Sequence, residues 1–360
     1  MQNDKINLSL IIPIGLMLFS FFFGAGNLIF PPVLGQMAGE NISWGMFGFC
    51  LSGVGFPLLG VLAMAMKQSD NPDSIAMPMH PLYARAVTIL CALAIGPLFA
   101  IPRTAAVSFD TGIHSLLPAS CEAIGLPVYT VFFFVLTYFF SINPSKIIGH
   151  IGKFLSPMLL ICLAVLVVCV FVNPTGSLKM PNPDFAASPF FRGFQEGYNT
   201  MDLLAAILFG SITIKAIEAQ GITDKKVLTK LCSYAGLIAA FFLAIIYAAL
   251  AYTGALSINV FGVIPNGATL LSKICTYYMG FGGQVVLALI IFFACLTTSI
   301  GLTTAISGYF SELSNNRIQY ERLVFFISAF SLVVATSVWK TSSSSPFLLS
   351  ACSIRLLSLW

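Results

Sequence analysis

Two glycines and an asparagine interrupt the first apolar run of the chain. Gly24, Gly26 and Asn27 stand inside a run that is long enough to cross a bilayer. Glycine costs a helix interior about 1 kcal/mol relative to alanine, and an unpaired peptide group in lipid costs more. A helix broken at this place indicates a ligand near the midplane, held by the freed backbone groups. The alternative is that the glycines only allow close helix packing.

A second apolar run is interrupted in the same way, by the segment Gly197-Tyr198-Asn199-Thr200-Met201-Asp202. Paired interrupted spans at matching positions of two halves are the best sequence sign of a transporter binding site. The N–H groups at a helix break suit a carboxylate, and the unwound carbonyls suit a small cation. The pair therefore predicts a site for an α-amino acid, with an apolar pocket formed by Phe22, Phe23, Leu28, Tyr198 and Met201.

Three adjacent hydroxyl residues, Thr297, Thr298 and Ser299, lie in a later apolar run. Oxygen ligands are preferred by a hard cation such as Na⁺. Two hydroxyls, together with carbonyls from a broken helix, would make a five-coordinate site without a full charge. The alternative is that each hydroxyl bonds the carbonyl four residues earlier in its own helix.

Arg103 and Asp110 are charged residues within the third apolar run. Seven residues are about two helical turns, so both lie on one face roughly 10 Å apart. A charge inside a membrane is by default a functional hypothesis, and we expect Arg103 to meet an acid such as Asp202 or free carbonyls. A buried pair that only sets the helix register is the alternative for Arg103, and a position near the outer surface is the alternative for Asp110.

The composition fixes the class of protein. Hydrophobic residues make up 58% of the chain, charged residues make up 8%, and the mean hydropathy is +0.94. Soluble domains carry about 25% charged residues, so we expect a protein embedded in the lipid bilayer. The net charge of +4 argues against a nucleic-acid partner, and nothing in the sequence predicts an obligate protein partner. The cysteines form no CxxC and the histidines are scattered, so neither an enzyme nor a metal cluster is predicted.

Nine membrane-spanning helices are predicted, and the longest loops are 173–193 and 255–281. The predicted spans are 8–35, 43–66, 82–114, 126–143, 147–172, 194–216, 228–254, 282–310 and 322–339. The first and sixth spans would begin the two halves of an inverted repeat of five plus five helices. Lys and Arg concentrate in the loops on the side of the N-terminus, which predicts a cytoplasmic N-terminus.

Three motifs resemble the signatures of the branched-chain amino acid:cation symporter family. They are FGAGNLIFPP at 23–32, GPLFAIPRTA at 96–105 and GYNTMD at 197–202, and the similarity covers roughly residues 1–340. The resemblance implies Na⁺-coupled uptake of leucine, isoleucine and valine across the bacterial inner membrane. It also implies the leucine-transporter fold, an all-α membrane fold whose inverted five-helix repeat unwinds at its first and sixth helices.

The resemblance also implies two sets of site residues. The substrate site would consist of Phe23, Gly24, Ala25, Gly26, Asn27, Gly197, Tyr198, Asn199, Thr200, Met201 and Asp202. The Na⁺ site would consist of main-chain carbonyls near Ser20 and Phe23, together with Ala294, Thr297 and Thr298. Proton coupling, with Asp202 or Asp110 as the carrier, is the alternative to Na⁺. Arg103 and Asp110 are otherwise predicted to have structural or gating roles.

The end of the chain departs from the family pattern. Residues 341–360 change composition abruptly after the transporter domain at 1–340, and they open on a serine run. We expect an atypical tail there, from a truncated or frameshifted reading frame. The second repeat would then lack its fifth helix, and an inactive carrier is a further alternative.

Overall fold

The structure, a computed structural model, describes residues 8–116 and 122–343, and every regular element in these ranges is helical. The first eight helices are α1 (Leu8–Phe22), α2 (Ala25–Ala38), α3 (Ile42–Cys50), α4 (Phe56–Lys67), α5 (Pro81–Leu93), α6 (Ala100–Ser108), α7 (Glu122–Ser141) and α8 (Ser156–Val172). The others are α9 (Pro183–Ala187), α10 (Pro189–Tyr198), α11 (Asp202–Glu218), α12 (Lys225–Phe261), α13 (Gly267–Leu313) and α14 (Tyr320–Ser343). The all-α prediction is confirmed, while most of the predicted tail lies outside the described residues.

Among the described residues, seven helical segments are long and apolar enough to cross a membrane, and the bent pair α10–α11 makes eight. The chain is therefore a multi-pass membrane protein, although nine spans were predicted. The difference arises partly at Ala25–Lys67, which is 43 residues long. A straight helix of that length would measure about 65 Å, twice the hydrocarbon core. The stretch turns at Gly39, whose φ is 50°, so α2 and α3–α4 belong to different crossings.

Three crossings are broken within their length. The first breaks at Phe23 and Gly24, between α1 and α2. The sixth predicted span breaks at residues 199–201, where α10 and α11 meet at a bend of 49°. The sequence predicted these two breaks. The structure adds a third one between α5 and α6, where Gly96 leaves the helical conformation ahead of Pro97.

The prediction of an irregular loop over 255–281 is wrong. Helix α12 continues to Phe261, and α13 begins at Gly267 and runs to Leu313 with a kink at Gly280. The chain bends at Gly262 and Gly280, whose φ angles of 67° and 58° are easily adopted only by glycine. The glycines of this segment were interpreted as a loop. They mark only the two bends, because the apolar helices on either side extend up to them. The predicted loop 173–193 likewise contains α9 and the start of α10.

Close backbone contacts join the helices that flank the first and sixth spans. Helix α2 packs on α12, α3 on α10, and α4 on α11. A Cβ at Gly254 of α12 would lie 2.0 Å from the Pro32 carbonyl oxygen, and one at Gly35 would lie 1.8 Å from that of Ala251. Small residues let membrane helices approach closely in this way. Gly35 and Gly254 therefore fix the position of α2, which lines the site described below.

We predict that Gly254→Ala destabilises the protein, because the added methyl group meets rigid backbone atoms of α2. Overpacking of this kind costs about 1–3 kcal/mol. The measurement is the thermal unfolding midpoint of the detergent-solubilised protein. Gly149→Ala is the matched control, since a Cβ at Gly149 would meet nothing within 4 Å. A Gly254→Ala variant that melts with the wild type would contradict this account of the α2–α12 contact.

Candidate functional site

The three breaks line one cleft, whose empty volume, including its open mouth, is about 620 Å³. The ranges 24–27 and 199–202, from the two predicted breaks, form facing parts of its wall. Helix α6 contributes Arg103 and α13 contributes Thr298. Apolar side chains such as Phe22, Phe209 and Leu302 complete the cleft. The cleft therefore combines polar groups at the helix breaks with an apolar wall.

The break in the first span exposes backbone donors to this cleft. Helix α2 begins at Ala25, so its first N–H groups have no acceptor within the helix. Asn27 satisfies one neighbouring donor, because its Oδ1 accepts the Gly24 N–H at 3.3 Å. The remaining N–H groups and the positive end of the helix dipole favour an anion here.

The glycines of this break are not explained by close helix packing. A Cβ at Gly24 would lie 3.2 Å from the Thr298 hydroxyl, and one at Gly26 would lie 3.2 Å from the ring of Phe30. Neither would meet the backbone of another helix, in contrast to Gly35 and Gly254. Both glycines line the cleft, where the absence of a side chain leaves room.

The break in the sixth span is held in a strained conformation. Met201 adopts the left-handed region with φ 62° and ψ 12°, which is uncommon for a residue other than glycine. The Thr200 hydroxyl donates to the Gly197 carbonyl at 2.8 Å and so supports the turn. Strain of this kind costs of order 1–3 kcal/mol and clusters at functional sites. Here it directs Met201 and Asp202 to the cleft.

A buried hydrogen-bond network joins the two breaks. The Asn27 Nδ2 donates to Asp202 Oδ2 at 2.5 Å and to Tyr247 Oη at 2.5 Å. The Thr200 hydroxyl lies 3.0 Å from the same Asp202 oxygen. The side chains of Asn27, Asp202 and Tyr247 are all almost fully buried. Asn27 therefore holds α2, α11 and α12 in one arrangement, and Asp202 makes no ion pair with any described residue.

The charged residues of the third predicted span lie apart. Arg103 is in the first turn of α6, after the break at Gly96, and lines the cleft. The expected ion pair of Arg103 with Asp202 is absent in the described part of the chain, since Asp202 bonds Asn27 and Thr200 instead. Asp110 is exposed in the turn Phe109–Ile113 and is not among the residues that line the cleft.

A cluster of oxygen atoms lies beside the cleft, where α13 passes the end of α1. The Thr298 hydroxyl is 3.1 Å from the Phe21 carbonyl, and the Thr297 hydroxyl is 3.0 Å from that of Ser20. The Thr297 hydroxyl also lies near two carbonyls of its own helix, those of Phe293 at 2.9 Å and Ala294 at 3.1 Å. The Phe293 and Ala294 carbonyls accept backbone N–H groups within α13, whereas those of Ser20 and Phe21 lie in the last turn of α1 and have no backbone donor among the described residues. These two carbonyls and the two hydroxyls form a set of oxygen atoms that suits a cation.

Four residues predicted for the substrate site, Phe23, Leu28, Gly197 and Tyr198, lie away from the cleft wall. The Phe23 ring is fully buried and stacks on Phe19 and Tyr247, with centroids 5.3 and 6.1 Å away. Gly197 packs against the Phe49 carbonyl, and the side chain of Tyr198 is exposed. Neither of these, nor Phe23, lines the cleft. Within the oxygen cluster, the carbonyls of Ser20 and Phe21 contact threonine hydroxyls, while that of Phe23 makes no such contact with a described residue.

Two residues that shape the site could not be identified from the sequence. Tyr247 lies within an apolar stretch of α12, and only the structure shows that its hydroxyl accepts a hydrogen bond from Asn27. Phe209 of α11 packs against both Phe21 and Phe22, with ring centroids 5.2 Å from each. The break at Gly96, by contrast, has a sequence signal in the Gly96-Pro97 pair.

Replacing Met201 should separate backbone strain from side-chain packing. Met201→Gly and Met201→Ala both remove the side chain, but only glycine adopts φ 62° without a steric penalty. We predict that Met201→Gly is more stable than Met201→Ala by about 1 kcal/mol. The measurement is the thermal unfolding midpoint of each variant in detergent. Equal stability of the two variants would show that the turn at Met201 is not strained.

Comparison with known proteins assigns the chain to a family. The family described as "Branched-chain amino acid transport protein" matches residues 7–345. The branched-chain amino acid permease BrnQ of Bacillus subtilis is 45% identical over 93% of this chain and 76% of its own length. BrnQ of Escherichia coli is 38% identical over 90% of this chain and 73% of its own length. Among solved structures, MhsT in complex with L-phenylalanine covers 90% of this chain and 79% of its own, at 16% identity and a TM-score of 0.60. That likeness shows the leucine-transporter fold, and the chain belongs to the branched-chain amino acid transport protein family.

Proposed function

We propose that this protein is a secondary active transporter that carries leucine, isoleucine and valine together with Na⁺ into the cell. One observation carries the proposal: the Thr298 hydroxyl lines the cleft and also lies 3.1 Å from the Phe21 carbonyl at the break of the first span. A cation at this place and an amino acid in the cleft would both contact the same unwound segment. Each ligand would then stabilise the conformation that the other one needs.

The chemistry of the cleft supports an amino acid with an apolar side chain. The N–H groups at the start of α2 suit its carboxylate, and the carbonyls freed at residues 199–201 suit its ammonium group. The rings of Phe22 and Phe209 and the side chain of Leu302 offer an apolar surface to its side chain. Relatives named as branched-chain amino acid permeases support the choice of substrate.

The proposed Na⁺ ligands are the two threonine hydroxyls and nearby carbonyls. Thr297 bonds the carbonyl of Phe293, four residues earlier in its own helix, as membrane threonines commonly do. Thr298 differs, because its recorded contacts are with the Ser20 and Phe21 carbonyls of α1. Helix packing alone does not require that contact, so Thr298 is the most informative of the proposed ligands.

We propose that transport proceeds by alternating access. The first, second, sixth and seventh spans, which comprise α1–α4 and α10–α12, would move as a bundle against the remaining helices. At one end, α13 contacts both the bundle and the segment that follows α4. The Tyr309 hydroxyl of α13 donates to Asp73 at 2.9 Å, and Lys215 of α11 pairs with Glu312 of α13. Opening of that end would have to break both contacts.

The proposed orientation follows from the distribution of basic residues. Lys and Arg are concentrated in the loops on the side of the N-terminus, which favours a cytoplasmic N-terminus. Lys215 and Asp73 then lie at the cytoplasmic end, and the contacts described above form an inner gate. We place the protein in the inner membrane of a bacterium, in keeping with the bacterial origin of its relatives.

Proton coupling is a second candidate, and one observation favours it. Asp202 is 6% exposed, lines the cleft and has no basic partner among the described residues. A carboxyl group inside a membrane span without a basic partner is a candidate for binding and releasing a proton. Protonation and release at Asp202 would then replace Na⁺ as the coupled event.

Uptake of labelled leucine into proteoliposomes tests the proposal and separates the two candidates. An inward Na⁺ gradient at constant pH should drive accumulation, and an inward proton gradient without Na⁺ should not. Accumulation under the proton gradient alone would favour the second candidate. Absence of leucine uptake under both gradients would contradict the proposed function.

We predict that Thr298→Val raises the Na⁺ concentration needed for half-maximal leucine uptake. The substitution keeps the shape of the side chain but removes one oxygen ligand of the proposed site. Loss of one oxygen ligand that costs about 1.4 kcal/mol of binding free energy raises this Na⁺ concentration about tenfold. Thr303→Val is the matched control, because Thr303 is on the same helix and its buried hydroxyl has no described hydrogen-bond partner. An unchanged Na⁺ dependence of the Thr298→Val variant would exclude Thr298 as a ligand.

A further inference from the structure

The cleft carries one positive and one negative side chain on different walls. Arg103 belongs to α6 and Asp202 to α11, and no other residue lining the cleft has a charged side chain. Their charged groups are more than 4.0 Å apart, since no ion pair joins them. An α-amino acid carries the same two charges, separated by one carbon atom. The cleft is therefore electrostatically complementary to the charged end of such a molecule.

The two charged groups differ in how they are satisfied. Asp202 accepts a hydrogen bond from Asn27, which holds it in place, and the Thr200 hydroxyl lies 3.0 Å from the same carboxylate oxygen. Arg103 makes no side-chain hydrogen bond or ion pair with any described residue, and its side chain is accessible in the cleft. An uncompensated charge inside a membrane protein is expensive. A merely structural Arg103 would be expected to have a partner in the protein, and the structure gives it none in the described part.

A second group of donors faces the same space. The N-terminus of α2, whose first N–H groups have no acceptor within the helix, lies at the cleft that Arg103 lines, and Ala25, Gly26 and Asn27 belong to the wall of that cleft. Helix N-termini and guanidinium groups both favour anions. The planar guanidinium can also bind both oxygens of a carboxylate at once. Positive potential is thus concentrated between α2 and α6, on one side of the cleft.

We propose that Arg103 binds the carboxylate of the transported amino acid, together with the backbone N–H groups at the start of α2. The inference rests on the proposed function and extends it, because it assigns a substrate-binding role to a residue of the third span. The ammonium group then points to Asp202 and the carbonyls of the break at 199–201. The apolar side chain faces Phe22 and Phe209.

Isothermal titration calorimetry of the purified protein with leucine and with leucinamide tests this assignment. Leucinamide keeps the ammonium group and the side chain but lacks the negative charge. Truncating one partner of a buried charge pair leaves the other charge unpaired, so Arg103→Gln should weaken leucine binding by about 100-fold. Its affinity for leucinamide should stay within about threefold of the wild-type value, because that ligand makes no ion pair with Arg103.

Two further variants keep the test decisive. Arg103→Lys keeps the charge but loses the two-pronged geometry, so we expect an intermediate loss of leucine affinity and unchanged leucinamide affinity. Arg192→Gln is the matched control, since Arg192 pairs with Asp184 outside the cleft at 3.3 Å. It should bind both ligands as the wild type does.

The outcomes separate this inference from the proposed function. A wild-type protein that does not bind leucine contradicts the proposed function itself. A wild-type protein that binds leucine, with Arg103→Gln binding it equally well, contradicts only the role of Arg103. Equal losses for leucine and leucinamide in both Arg103 variants would show a structural role and would also overturn the assignment.

Discussion

The site depends on one buried amide group, that of Asn27. Its Nδ2 bonds Asp202 at the break of the sixth span and Tyr247 on α12, while its Oδ1 accepts the Gly24 N–H. Broken helices in a bilayer must have their freed polar groups satisfied by protein or ligand. Asn27 satisfies one of them, the Gly24 N–H, and its bond to the Asp202 side chain joins two breaks that are far apart in sequence. The cleft exists because these breaks are held open.

The remaining parts of the site are arranged around that junction. Close packing at Gly35 and Gly254 positions α2 against α12, and the left-handed turn at Met201 aims the start of α11 at the cleft. Helix α13 adds the Thr298 hydroxyl beside the end of α1. Cation and amino acid would therefore act on the same few residues of the first span, which is the physical basis for coupling their binding.

The sequence predicted the parts of this arrangement that violate a local rule. Gly24 and Gly26 stand out in an apolar run because they weaken a membrane helix, and Asp202 stands out because a charge is expensive there. Tyr247 could not be predicted, since a tyrosine in the apolar α12 breaks no rule until its partner is known. The prediction of a loop over 255–281 was wrong because its glycines do not indicate a continuous irregular segment. Gly262 and Gly280 mark two local bends between regular helices.

The central claim is that the cation and the amino acid stabilise the same unwound segment of the first span. The most direct measurement is the leucine affinity of the purified protein in Na⁺ and in choline at the same ionic strength and pH. The account predicts that leucine binds more tightly in Na⁺, and that leucine raises the affinity for Na⁺ by the same factor. Equal leucine affinity in the two salts would contradict it.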